Sequence, residues 1–95
     1  MNTISAQQIR QFLISSYSAQ ISAAGVDPAN VPDTFDFLLQ GAIDSLGVLE
    51  MISAIEKEFG IEIDMSELDA DKMTILGPLS EYVANRAASK NAGKY

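Results

Sequence analysis

The sequence contains no cysteine and no histidine, and these two absences limit its chemistry severely. Without cysteine there can be no disulfide and no thiolate nucleophile. Without histidine the chain lacks the usual general base and the commonest metal ligand of proteins. The Ser-His-Asp and Cys-His catalytic arrangements and the usual zinc sites are therefore excluded.

Long apolar runs are also missing, because no apolar stretch exceeds three consecutive residues. We therefore expect no transmembrane span, no signal peptide and a cytoplasmic location. The 95 residues are enough for one small domain over 1–95, but not for a large substrate cleft. Within it, we expect residues 5–87 to be folded and the small, polar tail 88–95 to fray.

Basic residues are few, since six Lys and Arg stand against 13 Asp and Glu, giving a net charge of −7. The charge is uneven: Arg10 is the one charged side chain of residues 1–26, whereas residues 44–71 hold nine acids and one base, Lys57. Such a field repels nucleic acids and anionic membranes and attracts basic protein surfaces. No metal site is expected, because the clustered acids lack the ligand spacing and central glycine of a calcium loop.

The first helix is predicted from a capping-box pair, Ser5 and Gln8, which precedes a helical apolar stripe. This helix should end near residues 24–25. A long connection follows over residues 25–43 and should pack against the domain. Three of its apolar residues are expected to fold back over the helices: Phe35, Leu38 and Leu39.

The second long helix is predicted from about Ser45 to Phe59, and Gly60 ends it. Its buried stripe consists of apolar residues spaced three or four apart: Val48, Ile52, Ile55 and Phe59. Leu46 lies about 160° from the middle of that stripe, on the polar face. An exposed leucine beside a serine at the start of a helix favours a docking contact.

After Gly60 we expect an extended loop at 61–63, a short helix from Asp64 to about Lys72, and a last helix. Thr74 is expected to cap that last helix, with Pro78 in its first turn. The predicted fold class is therefore all-α: a small antiparallel four-helix bundle with three main helices, one short helix and a long loop between helices 1 and 2.

One serine hydroxyl lies at a position that suits covalent modification. The run Gly41-Ala42-Ile43-Asp44-Ser45-Leu46 puts Ser45 where a loop turns into a helix. The N-terminus of a helix has unpaired backbone N–H groups and a partial positive charge, so it suits a phosphate. Asp44 can cap such N–H groups and hold the loop so that Ser45 stays exposed. Ser45 is therefore a candidate for carrying a phosphodiester.

The motif Asp44-Ser45-Leu46 at the start of an acidic helix that closes at residues 58–60 gives residues 5–87 a resemblance to the acyl and peptidyl carrier-protein family. This resemblance implies that Ser45 carries a 4′-phosphopantetheine arm donated by coenzyme A, with Asp44 and Leu46 beside the attachment point. Cargo would travel as a thioester on the arm, and the chain itself would catalyse nothing. Leu46 and three acids match positions that the family presents to basic partner patches: Glu50, Glu56 and Glu58.

The same resemblance implies partner enzymes for a carrier that is expected to be a monomer. These are a phosphopantetheinyl transferase, an acyl- or aminoacyl-activating ligase, and ketosynthase or acyltransferase-type enzymes with basic docking patches. Fatty-acid carriers commonly have aspartate where this chain has Gly47, and Lys57 interrupts the acidic row. We therefore expect an acyl carrier of a fatty-acid-like, polyketide or other specialised biosynthetic pathway.

Two alternatives remain open. The chain is also consistent with an aminoacyl or peptidyl carrier, because the residues that would line a space for an aliphatic chain are equally expected in an ordinary core: Phe35, Leu39 and Ile55. An alternative from another class is an acidic helical adaptor that binds a basic partner without modification. The adaptor predicts that Ser45→Ala leaves function intact, whereas charge reversal at Glu50 and Glu56 destroys it.

Overall fold

The computed structural model describes residues 4–64, 66 and 73–92. Within this part of the chain there are four α-helices and one 3₁₀ turn: α1 (Ala6–Ser16), α2 (Ser18–Ala23), the 3₁₀ turn (Pro28–Asn30), α3 (Ser45–Phe59) and α4 (Leu76–Ala92). The only β pairing among these residues is a single antiparallel bridge between Asp36 and Ile75. The predicted all-α class, a small helical bundle, is confirmed. None of the described helices is long and apolar enough to span a membrane.

The first helical stretch starts as predicted but is divided in two. Ser5 Oγ accepts a hydrogen bond from the Gln8 N–H, and Gln8 Oε1 accepts one from the Ser5 N–H. At Tyr17 the backbone leaves helical geometry (φ −118°, ψ 22°), so the prediction of one uninterrupted helix is wrong. The Tyr17 ring packs edge-on against Phe37, with 5.8 Å between centroids. Local periodicity cannot predict this contact across the chain. The stretch ends ahead of Gly25, as predicted.

The hydrophobic core lies among the four helices and the connection between α2 and α3. Its fully buried side chains come from all of these segments: Ile9, Leu13, Ile21, Phe37, Met51, Ile55, Leu76, Leu79 and Val83. α1 packs against α4. The Phe12 ring contacts Phe59 at the end of α3, with 5.4 Å between centroids. These contacts leave the opposite side of α3 uncovered by the described residues.

The connection between α2 and α3 satisfies the first backbone donors of α4. The Leu76 N–H donates to the Phe35 carbonyl at 2.9 Å, and the Gly77 N–H donates to the Asp33 carbonyl at 2.8 Å. Pro78 has no N–H to satisfy. The initial turn of a helix needs partners for its N–H groups from outside the helix. The connection supplies them as main-chain carbonyls.

The prediction that Thr74 caps the last helix is therefore wrong. α4 begins two residues later, at Leu76, and the carbonyls of the connection already occupy its first N–H groups. Thr74 is 5% exposed, and its hydroxyl donates to Asp36 Oδ1 at 2.7 Å. Pro78 does lie in the first turn, as predicted, and α4 continues as a helix to Ala92.

Part of the connection faces inward and part outward. Phe35 and Phe37 are buried, with their rings 5.1 Å apart and nearly perpendicular. Leu38 and Leu39 are 43% and 82% exposed, so the prediction that they fold back over the helices is wrong. Their backbone N–H groups both donate to Asp36 Oδ1, at 3.0 Å each. This tight turn carries the two leucines outward.

The segment after α3 follows the sequence pattern. Gly60 adopts a left-handed conformation (φ 65°, ψ 38°) that glycine accommodates without strain, and it ends α3 as predicted. Residues 61–63 belong to neither a helix nor a strand, and Ile61 and Ile63 are buried. Of the short helix predicted over 64–72, only residues 64 and 66 are described, so the rest of that prediction lies outside the described residues.

Replacing Gly77 by alanine is expected to destabilise the fold even though alanine favours helices. An alanine Cβ would stand 2.8 Å from the Asp33 Cβ and 3.1 Å from the Asp33 carbonyl oxygen. The connection would have to shift, and Arg10 also holds it there, through Asp33 Oδ1 at 2.8 Å and through the Val31 carbonyl. We expect a loss of about 1–2 kcal/mol in the free energy of unfolding, measured with urea.

A double-mutant cycle with Asp33→Gly provides the control for this substitution. Asp33→Gly removes the Cβ that the new methyl group meets, so Gly77→Ala should cost less in that background. Equal losses in both backgrounds would show that the clash with the Asp33 Cβ is not the cause.

Candidate functional site

The start of α3 is held by Asp44. Its Oδ1 accepts the Gly47 N–H at 2.8 Å, and its backbone carbonyl accepts the Val48 N–H at 3.0 Å. The backbone of Asp44 is extended (φ −97°, ψ −176°), which is typical of a capping residue. The N–H groups of Ser45 and Leu46 precede the first intrahelical donor, Val48, and lie at the positive end of the helix.

Ser45 is the first residue of α3, and its side chain is exposed. The next side chain, Leu46, is 64% exposed, which agrees with its position opposite the buried stripe. The structure therefore brings an accessible hydroxyl, an accessible apolar side chain and a capped helix end together within three residues.

Gly47 allows the loop before α3 to close tightly over the first helical turn. A Cβ at this position would lie 2.9 Å from the Ile43 Cβ and 3.3 Å from Asp44 Oδ1. A side chain here would push both groups away, although the capping carboxylate must stay within hydrogen-bond distance of Gly47. The sequence pattern indicated Gly47 only as a departure from related proteins. Its packing role depends on the close approach of Ile43, and no pattern in the sequence indicates that approach.

Phe37 anchors the residues that lead into the site. Its side chain is fully buried, and its N–H donates to the Thr74 carbonyl at 2.8 Å. Its carbonyl accepts the N–H groups of Ala42 at 2.9 Å and Ile43 at 3.1 Å. The two residues just before Asp44 are therefore held by hydrogen bonds to a residue of the core.

Asp36 adds a second anchor that sequence reasoning missed. Its Oδ1 accepts three hydrogen bonds, from the N–H groups of Leu38 and Leu39 and from the hydroxyl of the buried Thr74. An aspartate that accepts N–H groups two and three residues later is a known turn signature. That signal was available in the sequence, whereas the bond to Thr74 was not.

We expect Asp36→Ala to destabilise the protein by about 2–3 kcal/mol, because it leaves the buried Thr74 hydroxyl and two backbone donors without their acceptor. Asp36→Asn keeps an oxygen acceptor in the same place and is the matched control, with an expected loss of about 1 kcal/mol. Urea unfolding measures both variants. Equal losses would contradict the assignment of Asp36 Oδ1 as the acceptor that holds the turn.

The structure separates the three acids that the sequence groups as partner contacts. Glu50 and Glu58 are exposed, and they lie within about 80° of each other around α3. Glu56 is half-buried on another side, where its Oε2 accepts the Ile63 N–H at 2.9 Å. Burial raises the pKa of the Tyr17 hydroxyl, and the negative charge of Glu50 raises it further.

The residues considered as a lining for an aliphatic chain do not share one space. Phe35 and Ile55 are buried, whereas Leu39 is 82% exposed. Among the described residues there is also no group of three or more acids, histidines or cysteines that could hold a metal ion.

Two comparisons with known proteins match this region. A family described as "Phosphopantetheine attachment site" matches residues 21–77, from α2 to the first turn of α4. The chain is similar to an "Acyl carrier protein" of Cylindrotheca sp. (strain N1), with 38% identity over 65 residues. That alignment covers 68% of this chain and 79% of the relative. No solved structure matches the chain.

Proposed function

Because the chain belongs to the acyl carrier protein family, whose members carry phosphopantetheine and are not catalysts, we propose that Ser45 is its attachment residue. The matched range contains four serines, Ser22, Ser45, Ser53 and Ser66. Ser22 and Ser53 lie inside helices, and Ser66 Oγ donates to Asp64 Oδ1 at 2.5 Å. Ser45 alone among them begins a helix, and its exposed position there is the observation that carries the proposal.

The residues around Ser45 fit a covalently bound phosphate. The N–H groups of Ser45 and Leu46 and the positive helix end favour an anion. α3 has no acidic side chain in its first turn, so nothing in that turn opposes a phosphate, and Asp44 is engaged with the Gly47 N–H. When attached, the phosphopantetheine supplies the thiol that this chain lacks and holds cargo as a thioester.

The chain's own residues position this attachment point. Asp44 fixes the turn, so that Ser45 Oγ remains accessible for forming the phosphodiester bond. Leu46 and Leu49, 64% and 55% exposed, offer apolar contacts to an enzyme that approaches Ser45. Glu50 lies one turn from Leu46 and adds a negative charge that attracts basic surfaces.

We further propose that the chain is a cytoplasmic monomer with one domain over residues 1–95. It receives its arm from a phosphopantetheinyl transferase and an acyl group from an activating ligase. It then delivers intermediates to ketosynthase or acyltransferase-type enzymes of a fatty-acid-like, polyketide or other specialised pathway. The name of the Cylindrotheca relative supports an acyl cargo. An aminoacyl or peptidyl carrier is the second candidate, supported by the separation of Leu39 from the buried Phe35 and Ile55.

The test is to incubate the purified chain with a promiscuous phosphopantetheinyl transferase, coenzyme A and Mg²⁺. Intact-mass measurement should show one added phosphopantetheinyl group, and peptide mapping should place it on Ser45. A group found on Ser22, Ser53 or Ser66 would overturn the assignment. Offering the loaded chain to a fatty-acyl ligase and to an aminoacyl ligase then separates the two cargo classes.

A further inference from the structure

The uncovered side of α3 presents a continuous stripe of residues at helical spacing. We name it the α3 stripe: Leu46, Leu49, Glu50, Ser53, Ala54 and Lys57. All but Leu46 line a shallow groove of about 420 Å³. The stripe therefore extends from beside Ser45 to the last turn of the helix.

The stripe carries two charges of opposite sign, one in its middle part and one in the last turn of the helix. Glu50 and Lys57 are both exposed, and they are seven residues apart, so they lie on nearly the same line, about 10.5 Å apart along the axis. That separation is too long for them to pair with each other. The ion pair found within the described part of the chain joins Arg10 and Asp33, so Lys57 forms none there. Between the two charges stand only small side chains, which let another surface approach closely.

We propose, on the basis of the proposed carrier function, that the α3 stripe docks on a partner-enzyme surface of mixed charge. That surface would hold an apolar pocket for Leu49, a cation opposite Glu50 and a carboxylate opposite Lys57. A uniformly basic patch would attract Glu50 and Glu58, but its positive charges would repel Lys57. Lys57 is thus a specificity-determining residue that selects against uniformly basic docking patches.

The position of Lys57 also suits the negative end of the helix dipole, since it lies in the last turn of α3. That role would affect stability alone and would not depend on a partner. The experiment therefore measures both unfolding and docking.

The probe is a phosphopantetheinyl transferase with a uniformly basic docking patch, and the readout is kcat/KM for loading Ser45. Lys57→Gln should raise kcat/KM about threefold at low salt through faster association, and Lys57→Glu should raise it further. Both gains should disappear at about 0.5 M salt, where charges are screened over a few ångströms. The matched control is Gln20→Glu on the exposed surface of α2, which lowers the net charge by the same amount as Lys57→Gln.

A second arm tests for the carboxylate opposite Lys57. In a transferase variant with one docking arginine or lysine replaced by glutamate, wild-type chain should load faster than Lys57→Glu. Equal gains for Lys57→Gln and Gln20→Glu, or no reversal with any such variant, would overturn the proposal. If the wild-type chain accepts no group at all, this proposal falls together with the carrier function. Normal loading without a Lys57 effect overturns this proposal alone.

Discussion

Replacing Ser45 by alanine is expected to abolish phosphopantetheine loading completely. The hydroxyl oxygen of Ser45 is the atom that would join the phosphate, and alanine has no oxygen to replace it. The position is exposed and begins a helix, so the change should alter the free energy of unfolding by less than about 0.5 kcal/mol. Intact-mass measurement after incubation with transferase and coenzyme A provides the readout, and urea unfolding verifies that the variant is folded.

Ser22→Ala is the matched control, because Ser22 is another exposed serine of the matched range and lies on α2, outside the α3 stripe. This variant should gain one phosphopantetheinyl group at the wild-type rate. A mass gain in Ser45→Ala would place the attachment elsewhere. The adaptor alternative predicts a different result: Ser45→Ala would leave the function, which is binding of a basic partner, unchanged.

The largest expected effect on stability comes from Phe37→Ala. Phe37 is fully buried and contacts the rings of Tyr17 and Phe35, so truncation removes contacts with the junction of α1 and α2 and within the connection. A buried Phe→Ala change costs about 3–5 kcal/mol. This is a large part of the roughly 5–15 kcal/mol that stabilises a small domain. Urea unfolding should therefore show a strongly reduced midpoint or a chain that is unfolded in buffer.

The control is Leu39→Ala, two residues along the same connection, because Leu39 is 82% exposed and should contribute almost nothing to stability. Phe37→Leu fills part of the same space and should lose about half as much as the alanine variant. Similar losses for Phe37→Ala and Leu39→Ala would contradict the assignment of Phe37 as the anchor of the site.

Local signals were sufficient to predict α3. Asp44 caps its first turn, Gly60 ends it in a left-handed conformation, and the apolar residues repeat at helical spacing. The exposed positions of Ser45 and Leu46 follow from those same signals. Each of these features is encoded within a few neighbouring residues, which is why the sequence predicts the helix bounds correctly.

The arrangement that supports the site could not be predicted in this way. Asp36 and Thr74 are 38 residues apart in sequence, and Gly77 meets Asp33 across a similar distance. Hydrogen bonds between such distant residues leave no trace in hydrophobic periodicity. For the same reason the pattern predicted Thr74 to be a helix cap, although its hydroxyl donates to Asp36 in the connection.

The distinction between exposed and engaged acids was also beyond the sequence pattern. The family resemblance grouped Glu56 with Glu50 and Glu58 as partner contacts, although helical spacing places Glu56 only about 70° from the middle of the buried stripe. In the structure its carboxylate accepts the Ile63 N–H. A polar position on a helix can therefore serve the fold, and only the position of the following loop reveals it.

The dependence of α4 on carbonyls of the connection has a consequence for evolutionary length variation. Surface connections normally tolerate insertions and deletions. Here, any change of length between Asp33 and Phe35 would move one carbonyl out of register with the start of α4. Homologous chains that share this arrangement should therefore have no gaps between these two positions, and a peptide grafted there should disturb the start of α4.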